Sequence, residues 1–167
     1  FDLDTGDDNL ILNNHIYNIA GFGLHLHSST GTSTGNVLSY NLLHDLDWDG
    51  MRIGVGCVDT QVMSNTIHTT NRVNSPSGFN GGGIVLNSTT NTTVEGNTVT
   101  DVRKAGVSND TAGVRIEGTN TGGNIRHNRL LGNANDGLLL FGFSSPPEVH
   151  CNHIYGNLRY GVRNNSA

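Results

Sequence analysis

The chain has 167 residues and a formal net charge of −5, and its nine Lys and Arg are scattered among fourteen Asp and Glu. That distribution lacks the clustered basic face of a nucleic-acid footprint, and no apolar run approaches the length needed to span a membrane. Hydrophobic residues at 34% and aromatics at 6% are lean for an ordinary globular core but sufficient for the narrow aliphatic stacks of a repeat protein.

From the N-terminus, Phe1-Asp2-Leu3-Asp4 alternates as a strand with both acids on one face. A register then begins that reads apolar, any, any, Asn, any, apolar. It recurs from Ile11 to Ile16 around Asn14, Leu38 to Leu43 around Asn41, Val62 to Ile67 around Asn65, Val94 to Val99 around Asn97, Ile125 to Leu130 around Asn128, and Val149 to Ile154 around Asn152. The Asn-to-Asn steps of 27, 24, 32, 31 and 24 residues describe stacked units whose extra residues go into loops. In phase with it runs Gly, apolar, any, apolar: Gly23-Leu24-His25-Leu26, Gly50-Met51-Arg52-Ile53, Gly83-Ile84-Val85-Leu86, Gly113-Val114-Arg115-Ile116, Gly137-Leu138-Leu139-Leu140 and Gly161-Val162-Arg163-Asn164.

Period-two alternation marks strands, and no useful stretch shows the 3.6-residue period of a helix. The chain is expected to be all-β, with short strands stacking on their counterparts one coil away at about 4.8 Å. That is a parallel β-helix solenoid of about six to seven coils, forming one domain over residues 1–167 and a segment of a longer β-helix. The recurrent Asn suits a sharp turn between strands, because it tolerates the left-handed conformation and its amide can bond the backbone or the next Asn along the axis. These asparagines are read as structural.

The two registers together resemble the repeat of right-handed parallel β-helix proteins of the pectate-lyase-like superfamily. The resemblance spans about residues 9–165 and implies a right-handed solenoid acting on or binding a polysaccharide, as a hydrolase or lyase. The signatures of polygalacturonases (Asn-Thr-Asp with later Gly-His-Gly and Arg-Ile-Lys) and of mannuronan epimerases (Asp-Pro-His-Asp) are absent. A non-catalytic structural, adhesive or carbohydrate-binding segment is the competing reading. The resemblance also implies an extracellular, cell-surface or periplasmic setting, and a substrate groove along one parallel sheet flanked by long turns.

The second register allows the outward positions of that sheet to be read rung by rung: Asp2 and Asp4, His25 and His27, Arg52, Val85 and Asn87, Arg115 and Glu117, Leu139 and Phe141, then Arg163. Insertions just upstream, at 44–49, 69–82 and 103–110, are placed to wall one edge. Within the first, Trp48 lies between Asp47 and Asp49; an aromatic face with flanking carboxylates suits a carbohydrate subsite, while the alternative is a Trp48 packed on its own loop.

Several chemistries are open on this ladder. Asp2 and Asp4 at i, i+2 stand about 6.5–7 Å apart in an extended strand, a separation that fits an inverting glycosidase pair. With His25 and His27 on the adjacent rung they also make a ligand set for Zn. A uronate lyase needs a carboxylate-neutralising cation and a base; Arg52, Arg115, Lys104 and His25 are the candidates, with Glu117, Asn87 and Asp110 as oxygen ligands for Ca. No cofactor is required by the reading; Ca and Zn are the ions the residues suit. The expected partner is a polysaccharide or oligosaccharide, with flanking β-helix coils or end-to-end self-association covering the ends of the stack. Cys57 and Cys151 lie roughly four rungs apart, or about 19 Å, and are expected not to pair.

Overall fold

A computed structural model describes residues 1–73, 81–103 and 110–165. Among these residues the regular structure is strand throughout, gathered into three long parallel sheets and a two-stranded parallel sheet of Ser33–Thr34 and Cys57–Val58. Sheet A has seven strands: Asp2–Asp4, Leu24–His27, Met51–Ile53, Gly82–Asn87, Ala112–Thr121, Asp136–Ser145 and Val162–Asn164. Sheet B runs through Leu10–Leu12, Val37–Ser39, Gln61–Met63, Thr93–Glu95, Asn124–Arg126 and Glu148–His150. Sheet C runs through His15–Ile19, Leu42–Leu46, Thr66–Thr70, Thr98–Val102, Arg129–Leu131 and His153–Tyr155. Every strand pairs in parallel with its counterpart one coil away, and the six strands of B and of C define about six coils, as the repeat predicts.

The interior is built from axial stacks of single residues. Leu3, Leu26, Ile53, Leu86, Ile116 and Leu140 are successive partners in sheet A. Ile11, Leu38, Val62, Val94 and Ile125 form the stack of sheet B, and Ile16, Leu43, Ile67, Val99, Leu130 and Ile154 that of sheet C. All but the end members are almost completely buried. Each contributes about 1.5–3 kcal/mol by leaving water. Sheet A adds a second buried stack of Leu24, Met51, Ile84, Val114 and Leu138, so a core one or two residues wide per sheet holds a lean sequence together.

The six register asparagines form one axial ladder. Each side-chain Nδ2 donates to the next Asn Oδ1, from Asn14 through Asn41, Asn65, Asn97 and Asn128 to Asn152, at 2.9–3.0 Å. The same Oδ1 atoms accept the preceding asparagine's backbone N–H, satisfying a buried corner that has no sheet partner. The expectation that Asn itself takes the left-handed turn is corrected here. Positive φ falls on the residue before each one: Asn13, Tyr40, Ser64, Gly96, His127 and Cys151. Asn remains for its amide, which both donates and accepts along the axis, and the preceding residue bends the chain.

The glycine of the second register is dictated by axial crowding. A Cβ at Gly50 would stand 2.6 Å from the Gly83 carbonyl oxygen, and one at Gly23 equally close to that of Gly50. Both cysteines are free, as their spacing predicts, with Cys57 buried and Cys151 exposed. Burial pushes the Cys57 thiol up to about 11.

Candidate functional site

The outward register of sheet A is the one read from the sequence: Asp2 aligns with His25, His25 with Arg52, Arg52 with Val85, Val85 with Arg115, Arg115 with Leu139 and Leu139 with Arg163. Its two halves differ in what surrounds those side chains.

At the N-terminal half the side chains converge around a carboxylate. Asp2 Oδ1 lies 3.1 Å from His25 Nδ1 and 3.4 Å from His27 Nε2, and the two imidazoles stack with centroids 4.6 Å apart. One ligand atom from each of the three residues falls within 4.8 Å of the others. Asp4 joins the cluster at its edge, its Oδ1 lying 3.6 Å from His27 Nδ1, and is also held by Ser29. Its carboxylate accepts the Ser29 backbone N–H at 2.9 Å and the Ser29 hydroxyl at 2.6 Å, which hold its carboxyl below the usual range. Burial lowers the His25 pKa, against the opposing pull of Asp2. A neutral His25 that donates from Nδ1 to Asp2 keeps a lone pair on Nε2 for a proton or a metal.

An aromatic wall flanks this cluster. Phe22 packs against His25 with centroids 4.9 Å apart, and Trp48 meets Phe22 edge to face at the same distance. Trp48 is half-buried, held through its backbone N–H to the Gly21 carbonyl. An open cavity of about 420 Å³ lies at the histidine end of this row, away from Phe22 and Trp48, lined by His25, His27, Ser29, Arg52, Val55 and Asn87 among others.

From the third rung onward most of the ladder is withdrawn from solvent, with Phe141 an exception at 43% exposure. Arg52 and Arg115 are 4% and 3% exposed, and Val85 and Leu139 are fully buried although they point outward. The reason is side-chain length. Glu117 accepts from Arg52 two coils away and from Arg115 beside it, so the guanidinium groups meet over Val85 and cover it. Arg52 also donates to Asp49 at 3.0 Å. Asp49 is fully buried and accepts the Gly82 N–H at 2.7 Å; burial pushes its carboxyl up to about 6 despite Arg52, leaving it ionised at neutral pH. Farther along, Arg163 spans Asp136 and Asp110 at 2.6 and 2.9 Å, and the Asp110 carbonyl accepts from Arg115.

A family profile described as the right handed beta helix region matches residues 2–99 and again 70–167. The chain belongs to the right-handed β-helix family. No curated protein and no solved structure matches it.

In this β-helix the residues singled out from sequence therefore separate into groups. Asp2, His25 and His27 come together, with Asp4 joined to them through His27 and Trp48 reaching them through Phe22. Arg52, Arg115, Glu117, Asp49 and Asp110 form the ion-pair network. Asn87 sits beside Glu117 on the neighbouring rung and lines the cavity. Asp47 accepts Arg72 through Nε and Nη2 at 3.0 and 2.8 Å. Lys104 lies outside the described residues, as do most of the two longer loops expected to wall the groove. Two contributors escaped the sequence reading. Phe22 precedes the register glycine Gly23 as Asp49 precedes Gly50, a column of variable residues at the sheet edge that could have flagged it. Ser29 carried no signal, because its pairing with Asp4 crosses from one coil to the next.

Proposed function

We propose that the chain engages a polysaccharide along the N-terminal half of sheet A, in an extracellular, cell-surface or periplasmic setting. The observation that carries this reading is the continuous row of Trp48, Phe22, His25 and His27, whose histidine end opens on a cavity of about 420 Å³. Aromatic faces bind the C–H faces of sugar rings, and the polar rim of Ser29 and Asn87 supplies partners for hydroxyls.

The chemically competent group on that surface is the Asp2, His25 and His27 cluster. Two imidazoles and one carboxylate suit a zinc-type ion better than calcium, which prefers an all-oxygen cage; such an ion would supply Lewis-acid polarisation of a sugar oxygen. Without a metal, His25 is the group placed to accept a proton. An inverting hydrolase would require a carboxyl held high enough to act as acid, and Asp4 is shifted the other way. Arginine does not deprotonate in proteins, and Arg52 and Arg115 are buried in ion pairs with Asp49 and Glu117, so neither serves the reading as a base.

The test is a panel of neutral and uronate oligosaccharides titrated against intrinsic fluorescence, with and without added Zn. A bound sugar is expected to shift or quench Trp48 emission in the wild type, and Phe22→Ala and His25→Ala are expected to weaken that response at least about tenfold. Absence of response across the panel, with the protein folded, would overturn the glycan reading. Response with product formation lost in His25→Ala assigns turnover, and response without product assigns a binding module.

A further inference from the structure

A second cluster of donor atoms lies in the last coils, away from sheet A. His127, His150 and Cys151 each bring one ligand atom within 4.8 Å of the others, and all three are exposed. The repeat itself assembles them. His127 and Cys151 are the left-handed turn residues preceding ladder asparagines Asn128 and Asn152, so they occupy equivalent corners of adjacent coils. His150 ends the Glu148–His150 strand immediately before Cys151 and aligns with Arg126. Its ring meets that of His127 edge to face, with centroids 6.0 Å apart and planes at 82°. On the preceding coil the same corner is Gly96, which has no side chain to crowd that flank.

We propose that His127, His150 and Cys151 bind a borderline-soft divalent ion of the zinc class, with a fourth position open to water or a small ligand. Two imidazoles and a thiolate form a donor set favouring zinc, cobalt or nickel over calcium or magnesium. Zn–N distances of about 2.0–2.1 Å and Zn–S of about 2.3 Å set donor separations of about 3.3–3.6 Å in a tetrahedron. Exposed side chains already within 4.8 Å reach those separations by rotation about their own bonds, with no movement of the sheet. The thiol releases its proton to the solvent on binding, so affinity rises with pH. An ion held there ties the coil of His127 to that of His150 and Cys151, and stabilises the folded chain by mass action.

The experiment titrates the full chain, reduced, with cobalt(II) alone and then displaces it with zinc. One equivalent is expected to give a thiolate-to-cobalt charge-transfer band together with the ligand-field bands of a tetrahedral site. The charge-transfer band is expected to disappear in Cys151→Ser, and His127→Ala and His150→Ala are each expected to weaken cobalt binding at least about tenfold. Zinc is expected to raise the melting temperature of the wild type, and Cys151→Ser is expected to abolish the rise. The band must persist in His25→Ala/His27→Ala, which removes the other metal-capable cluster, and in Cys57→Ser. Absence of a thiolate band would overturn the proposal, as would a band indifferent to both His127→Ala and His150→Ala, which would assign the cobalt to a thiol acting alone.

Discussion

At the N-terminal end of sheet A, Asp2, His25 and His27 touch one another at the surface, with the Asp2 side chain 68% exposed. Two to six coils on from Asp2, in the same outward register, Arg52, Arg115 and Arg163 are drawn into ion pairs with Glu117, Asp110 and Asp136. The rungs are geometrically equivalent, so the difference comes from the side chains themselves. Short acids and imidazoles on adjacent rungs reach only each other and leave a face open. Long arginines reach acids one and two coils away and close the face over. One half of the ladder leaves its side chains open to solvent, and the other clamps coils together.

That comparison breaks most severely from inside. Ile116 lies beneath the clamped half and is 1% exposed; Ile116→Asp places an unpaired charge among aliphatic neighbours and is expected to abolish the cooperative unfolding transition seen by circular dichroism. Next in size is Glu117→Ala. It removes the anion shared by two nearly buried guanidinium groups and is expected to cost about 3 kcal/mol, read as a lower urea midpoint. A loss no greater than that of a surface substitution would show that the clamp contributes little. Asn97→Ala opens the asparagine ladder midway, leaving the Asn65 backbone N–H without its acceptor, and is expected to cost about 1–3 kcal/mol.

The open half should respond to pH and only weakly to truncation. The His25 pKa is lowered on folding from its ordinary value of 6.5, so below that value the unfolded chain binds the proton more readily. Stability from this group is fully present above pH 6.5 and falls as the pH drops through the window down to its depressed folded value. His25→Gln is expected to remove that part of the acid-side slope; an unchanged slope would place the titration elsewhere. Smallest is Asp2→Asn, expected to change stability by no more than about 0.5 kcal/mol while abolishing metal uptake at the His25 and His27 cluster, measured by calorimetry in the Cys151→Ser background.

The fold was legible because a solenoid writes its axial contacts as sequence period. Asn14 through Asn152 recur where one amide must meet the next, and the register glycines recur where a Cβ would strike the adjacent carbonyl. The outward ladder was legible for the same reason, since Leu24 and Leu26 inside place His25 and His27 outside. Tertiary structure decided what those outward residues do. Whether Arg52 faces solvent depends on Glu117, 65 residues away, and Val85 is buried because arginines from neighbouring coils meet above it. Phe22 becomes the wall of a site only through Trp48 one coil on, and His127 gains donor neighbours only when the next coil lays His150 and Cys151 beside it. Period fixes which residues stack; side-chain reach between coils decides which of them remain open to a ligand, and no local pattern in the chain records that reach.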